Sequence, residues 1–344
     1  MKKGLFLLMA VLGVFGAGNN EALATVTFNW ATVGDAGNAA DTTTYGAVSS
    51  VYNIATTEVN LIQYTEFLNA VDPNGLNLNS LYNGSMATDL NIAGVSFTSG
   101  AAAGSKYAVI GSGLRPVTYV SWNDSARFVN WLQNGQGAGS TENGVYNMSL
   151  GTPTRSLTAG YWIPSEDEWY KAAYYAASLA GGAGGYWLYP MQTNTVPYSD
   201  QAPGSSSPNA AMAGNFYLDT ADAGYNDGYA VTGSTGYSSS ENYLTDGGAY
   251  TSADSFYGTY DQGGNVWEWN DTVIAGSSRG LRGGSWDDGE LGLRSSSRGL
   301  GDPTVEYSFV GFRVASSVPE PSTAVLIILG GAALLARKRR RITL

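Results

Sequence analysis

The sequence predicts one irregular, loop-rich α+β domain between two short terminal segments. Three observations carry that reading. Three amphipathic stretches each open with a helix-capping pair, which supplies the α part. Short alternating runs around Trp and Val late in the chain supply the β part. The chain also holds 46 Gly among its 344 residues, yet 9 Trp and 23 Tyr as well. It is rich in turns but too aromatic to be disordered.

At the N-terminus, Met1, Lys2 and Lys3 precede an apolar run from Gly4 to Ala17, and Ala22-Leu23-Ala24 follows. A charged start, a short apolar stretch and a small-x-small site read as a secretory signal peptide, residues 1–24, cleaved after Ala24. Residues 25–44 form a lead-in. The first helix opens at Asn60 with Gln63 three residues on, and places Tyr64, Phe67, Leu68 and Val71 on one face. The second opens at Ser121 with Asp124 and carries Trp122, Ala126, Val129 and Leu132. The third opens at Ser165 with Glu168 and runs through Trp169, Ala172, Ala173 and Ala176. Its acidic run Glu166-Asp167-Glu168 fits a capped first turn, where the helix dipole favours negative charge, better than a catalytic cluster. From Gly181 to Tyr260 no period is visible, and so long a stretch without elements points to a functional or metal-organised loop. Short strands return around Trp267-Glu268-Trp269 and from Leu281 to Trp286.

At the other end, Val318-Pro319-Glu320-Pro321-Ser322 leads into an apolar stretch from Thr323 to Ala336, then Arg337-Lys338-Arg339-Arg340-Arg341. This tail, residues 317–344, resembles the PEP-CTERM sorting signal of Gram-negative bacteria. The resemblance implies a short transmembrane helix with its basic end held in the cytoplasm, and an exosortase as partner. It also implies export to the envelope, cell surface or extracellular matrix after transient inner-membrane anchoring.

Composition excludes much. There is no Cys and no His, so thiolate nucleophiles, disulfides, imidazole bases and the usual ligands of copper, zinc and iron are all missing. The metal most compatible with the remaining oxygen donors is calcium. The two terminal segments hold seven of the 17 Lys+Arg and two of the 28 Asp+Glu, so the body between them carries 10 basic and 26 acidic residues. A body that acidic makes nucleic acid a poor partner.

The late motifs Gly263-Gly264-Asn265-Val266-Trp267-Glu268-Trp269, Arg282-Gly283-Gly284-Ser285-Trp286 and Gly311-Phe312-Arg313-Val314 stand in order. Upstream lie Thr57-Glu58-Val59, Arg115-Pro116-Val117 with Ser121-Trp122, and Trp162-Ile163-Pro164-Ser165-Glu166-Asp167-Glu168-Trp169. Together they resemble the formylglycine-generating enzyme (sulfatase-modifying factor) family from Tyr45 to Ala315, which sets the domain at 45–316. The resemblance implies an irregular α+β fold related to C-type lectins. The family's oxidase binds copper through a cysteine pair just after its Arg-Gly-Gly-Ser. Here those positions fall near Asp288 and Leu293, which cannot replace a bis-thiolate site. The resemblance further implies one calcium at Asn265, the Val266 carbonyl and Glu268. A second would lie at Asn215, the Phe216 carbonyl, Asp227 and the Tyr229 carbonyl. For Glu268 a buried ion pair with Arg282 or Arg313 competes with the metal, and for Asn215 and Asp227 an ordinary Asx turn does.

The leading functional expectation is a non-catalytic module, ligand-binding or structural, with extracellular polysaccharide or protein as ligand. The surplus of Trp and Tyr suits sugar stacking, although Trp122, Trp162, Trp169, Trp267 and Trp269 read first as core. The alternative is a carboxylate-based enzyme using Asp287, Asp288 and Glu290 in the former active-site segment.

Overall fold

The computed structural model describes residues 25–156, 158–222 and 224–318. Strand β1 (Trp30–Val33) lies in the stretch read as a lead-in and pairs antiparallel with β2 (Tyr52–Ala55). Helix α1 (Leu61–Val71) follows, and its Asn60–Gln63 capping box forms as the sequence predicts. Helix α2 (Trp122–Gln133) opens on the Ser121–Asp124 box. A two-residue strand β3 (Tyr161–Trp162) precedes α3 (Glu166–Tyr174), which opens on the Ser165–Glu168 box. In all three, each cap satisfies a backbone donor that the first turn leaves without a partner.

The expected structureless stretch from Gly181 to Tyr260 is corrected: besides short pairings such as Tyr198–Ser199 with Ala213–Gly214, it holds one longer hairpin. It contains the hairpin β4 (Tyr217–Asp222) and β5 (Tyr225–Tyr229), with Tyr217 opposite Tyr229 and Asp219 opposite Asp227. The tyrosine rings at the open end meet edge to face at 4.9 Å. Strands β6 (Trp267–Ala275), β7 (Ser278–Arg282), β8 (Gly299–Gly301), β9 (Val310–Phe312) and β10 (Ala315–Ser317) complete the larger elements.

Two four-stranded sheets organise the domain. One runs β1-β2-β10-β3 and is antiparallel throughout. The other runs β8-β7-β6-β9, with β6 and β9 parallel. The chain passes directly from β9 in one sheet to β10 in the other, so Arg313 and Val314 sit at the junction. Both helices of the main core pack there. Phe128 of α2 meets Phe67 of α1 at 5.3 Å and Phe312 of β9 at 5.4 Å, each edge to face. Fully burying each such ring stabilises by roughly 1.5–3 kcal/mol. Trp122, Trp162, Trp169 and Trp269 are buried as expected of core residues, whereas Trp267 is half-buried beside Asp288.

The signal peptide, the Pro-Glu-Pro motif and the apolar and basic tail lie outside the described residues. The expected membrane contact is corrected: no helix among the described residues is long and apolar enough to cross a membrane. The transient C-terminal membrane helix, the inner-membrane anchoring and the exosortase partnership built on it are therefore withdrawn.

Candidate functional site

The segment Ser285–Leu293 leaves β7 through Gly283 and Gly284, both at positive φ. At Gly284 a β-carbon would also press on Leu293 and Gly292. That tight turn brings Asp288 back beneath Trp267. Its Oδ2 accepts from the Trp267 indole N–H at 2.7 Å, the Ser285 N–H at 3.0 Å and the Ser285 hydroxyl at 2.5 Å. Its carbonyl accepts from the Tyr217 N–H of β4 at 2.9 Å. A carboxylate held by three donors, two of them from the residue three positions back, is a structural acceptor. Leu293 goes the other way. It is fully buried and packs with Tyr189, Met191, Phe216 and Tyr250. One expected cysteine position is thus a hydrogen-bonded staple and the other is core.

The neighbouring acids do not converge. Asp287 is exposed, its carboxyl raised from the usual range by partial burial and by Asp288. Glu290 lies 3.8 Å from Arg294, one turn on. Asp287, Asp288 and Glu290 thus take different partners, Tyr229 for the first, Trp267 and Ser285 for the second and Arg294 for the third. Above the segment, Trp286 stacks on Tyr243 at 4.6 Å with the rings within 6° of parallel, and both are buried. That stack is core and not an exposed sugar platform.

Of the oxygen ligands, the structure brings two together. The Asn265 N–H donates to the Asn215 carbonyl at 2.7 Å, and the Asn215 side-chain amide donates to Asn265 Oδ1 at 3.1 Å. Gly264 makes this approach possible, since a β-carbon there would lie 2.3 Å from the Asn215 carbonyl oxygen. Asn265 Oδ1 also accepts from the Thr245 N–H at 3.1 Å. The Phe216 carbonyl accepts from the Ser199 hydroxyl at 2.6 Å, and the Tyr229 carbonyl from the Gly233 N–H at 2.8 Å. Asp227 is half-buried on β5.

Glu268 belongs elsewhere. Its Oε1 accepts from Arg313 Nη2 and its Oε2 from Arg313 Nε, both at 2.6 Å, while Trp169 Nε1 donates to Oε2 at 2.8 Å. Glu268 and Arg313 are both fully buried. Arg282 sits opposite Glu268 in the β6–β7 register, yet it turns to Glu166 of α3 at 2.6 Å. Glu166 also takes Arg298, and Glu168 takes Arg155. The acidic opening of α3 is therefore cap and ion-pair anchor together.

Two further acids at this centre carry no role in the sequence reading. Asp261, with its Oδ2 accepting from the Gly248 N–H at 2.6 Å, is pushed up to about 6 by burial, against the pull of that bond and of Arg313. Glu58 is driven well above the usual carboxylate range, first by burial and then by Asp261. One of its oxygens accepts from Asn265 Nδ2 at 3.3 Å, and the other is buried without a partner. The available signal was a lone acid between Thr57 and Val59 in an apolar context. Among the described residues no group of three or more His, Cys, Asp or Glu side chains converges as a metal site.

Residues 27–318 match the sulfatase-modifying factor enzyme 1-like domain. Similar solved structures include variable protein 1 of Treponema denticola, with 18% identity, 86% of this chain and 97% of that chain covered, and a TM-score of 0.48. CarF is similar at 17% identity over 78% of this chain and 88% of its own, with a TM-score of 0.44. PvdO from Pseudomonas aeruginosa is similar at 17% identity over 84% and 91%, with a TM-score of 0.38. No curated protein sequence matches the chain.

Proposed function

Because the chain belongs to the family of sulfatase-modifying factor enzyme 1-like domains, we propose that it uses the family scaffold as a non-catalytic module, ligand-binding or structural. The observation that carries this reading is Asp288. It stands near a lost cysteine position and is consumed by Trp267 and Ser285, while Leu293 fills the core. A site with neither thiolate has no soft ligand for copper and no group poised to activate oxygen. The test is incubation with copper(I), oxygen and a cysteine-containing peptide. The expected result is no aldehyde and no tight copper uptake. Aldehyde formed by the purified chain, and lost in Trp267→Ala, would overturn the reading.

Calcium belongs to the same proposal in part. The set Asn215, Phe216, Asp227 and Tyr229 fits a hard cation in donor chemistry, since every contributing atom is an oxygen. The set Asn265, Val266 and Glu268 does not, because a guanidinium already occupies its carboxylate. Calorimetric titration with calcium should give heat that Asp227→Ala removes. Heat that persists in Asp227→Ala and vanishes in Glu268→Gln would reverse the assignment, and no heat at all would end it.

A further inference from the structure

The described residues include ten Lys and Arg side chains, and nine are committed. Seven arginines pair with carboxylates, and Lys106 and Lys171 donate to backbone carbonyls. Arg115 alone makes no side-chain hydrogen bond or ion pair with any described residue. It lines an open groove of about 430 Å³ with Ser112, Gln201, Leu244, Thr245 and Asp246. Asp246 is likewise without a side-chain partner among the described residues. The two charges lie on chain segments fastened to each other, since the Gly247 N–H donates to the Leu114 carbonyl at 3.0 Å. The Arg115 carbonyl is itself held by the Leu61 N–H at 3.0 Å. Opposite charges thus line one groove and do not bridge each other.

That arrangement is selective in this chain. Acids outnumber bases heavily, and every other described arginine has been taken up by one. A guanidinium left free in a groove presents a planar fork suited to a carboxylate. Asp246 beside it repels a multiply charged anion such as phosphate but receives an ammonium. Val231 and Ala249, both half-buried, add an apolar part to the same lining, and Gln201 braces Val231 through a 2.9 Å bond to its carbonyl. The volume lies within the ordinary range for small-molecule sites, roughly 300–1,000 Å³.

We propose that this groove binds a small zwitterion of the apolar amino-acid type, its carboxylate on Arg115, its ammonium on Asp246 and its side chain against Val231 and Ala249. The assignment rests on the ligand-binding reading above and names the site and ligand class. The test is calorimetry on the full chain with L-leucine and L-phenylalanine, set beside L-leucinamide, which lacks the carboxylate, and N-acetyl-L-leucine, which lacks the ammonium. The free amino acids should bind at least tenfold more tightly than either blocked analogue. Arg115→Gln should erase the discrimination against L-leucinamide only, and Asp246→Asn that against N-acetyl-L-leucine only. Neither side chain has a described partner, so both variants should melt with the wild type. No binding of either free amino acid at millimolar concentration, or equal binding of all four compounds by the wild type, overturns the proposal. Mass spectrometry of the recovered L-leucine separates the two readings. Unchanged ligand is expected, whereas conversion with the discrimination intact keeps the binding site and overturns only its non-catalytic character.

Discussion

Among the described residues, Arg313 is the cation set against the buried Glu58 and Glu268 and the half-buried Asp261, and its removal should be the most damaging single change at the sheet junction. Besides both oxygens of Glu268, it donates to the carbonyls of Ala55 at 3.1 Å, Thr56 at 3.3 Å and Tyr260 at 3.0 Å. Arg313→Met keeps an apolar stem but leaves Glu268 with only the Trp169 indole, and strips those carbonyls of a charged donor. Breaking a buried pair from one side costs about 3–5 kcal/mol. At about 2–4 °C per kcal/mol for a domain near this size, the melting point should fall by roughly 10 °C. Glu268→Gln removes one of three acids and keeps an oxygen for Trp169, so the guanidinium retains Asp261 and Glu58 nearby. Its cost should be smaller, about 1–3 kcal/mol.

The pH dependence separates this account from simple loss of packing. Asp261 is raised to about 6 and Glu58 well above its ordinary value, so both hold protons in the folded state where the unfolded chain has released them. Stability from these groups is greatest at low pH and is lost as pH rises through their folded values. Without Arg313 those values climb further, so the variant should lose stability more steeply between pH 5 and pH 8 than the wild type. Urea unfolding at both pH values measures it. The reasoning fails if Arg313→Met and Glu268→Gln cost the same at pH 8. It fails equally if the Arg313→Met penalty is unchanged at pH 5.

Three other outcomes follow from particular contacts. Asp124 and Asp271 are each raised to about 7, first by burial, against the pull of Ser121 on one and Arg279 on the other. The stability advantage of wild type over Asp124→Asn should therefore shrink as pH rises from about 4 to about 7, and a growing advantage in paired melting curves would contradict this. Asp288→Ala leaves the Trp267 indole and two Ser285 donors without their shared acceptor, at about 1–3 kcal/mol. Asp288→Asn should recover part of that loss, and equal unfolding midpoints for the two would show that the oxygen is unimportant. Leu293→Ala opens a cavity among Tyr189, Met191, Phe216 and Tyr250, for about 2–5 kcal/mol. A loss under about 1 kcal/mol by urea titration would mean the site collapses or is wet.

What was legible in the sequence was local or ordered along the chain. Each helix announced itself through a cap and a periodic apolar face, both properties of a few consecutive residues. The strands around Trp267 and Leu281 were legible because apolar residues alternate there. The hairpin Tyr217–Tyr229 was missed because its alternation is of Tyr with Asp and Asn, which reads as a polar loop until the rings are seen to meet edge to face across it. The partner of Glu268 could not be chosen because one arginine lies on a strand flanking its own and another lies one residue past the end of the other flanking strand. Strand register favours Arg282, which sits directly opposite. What decides the matter is α3, which carries Glu166 to Arg282 and so leaves Glu268 to Arg313. Only the packing of a helix against a sheet settles that competition, and no spacing along the chain encodes it. The same competition gives Arg115 its meaning. A free arginine looks unremarkable in a sequence, and becomes informative only once every other cation has been traced to its partner.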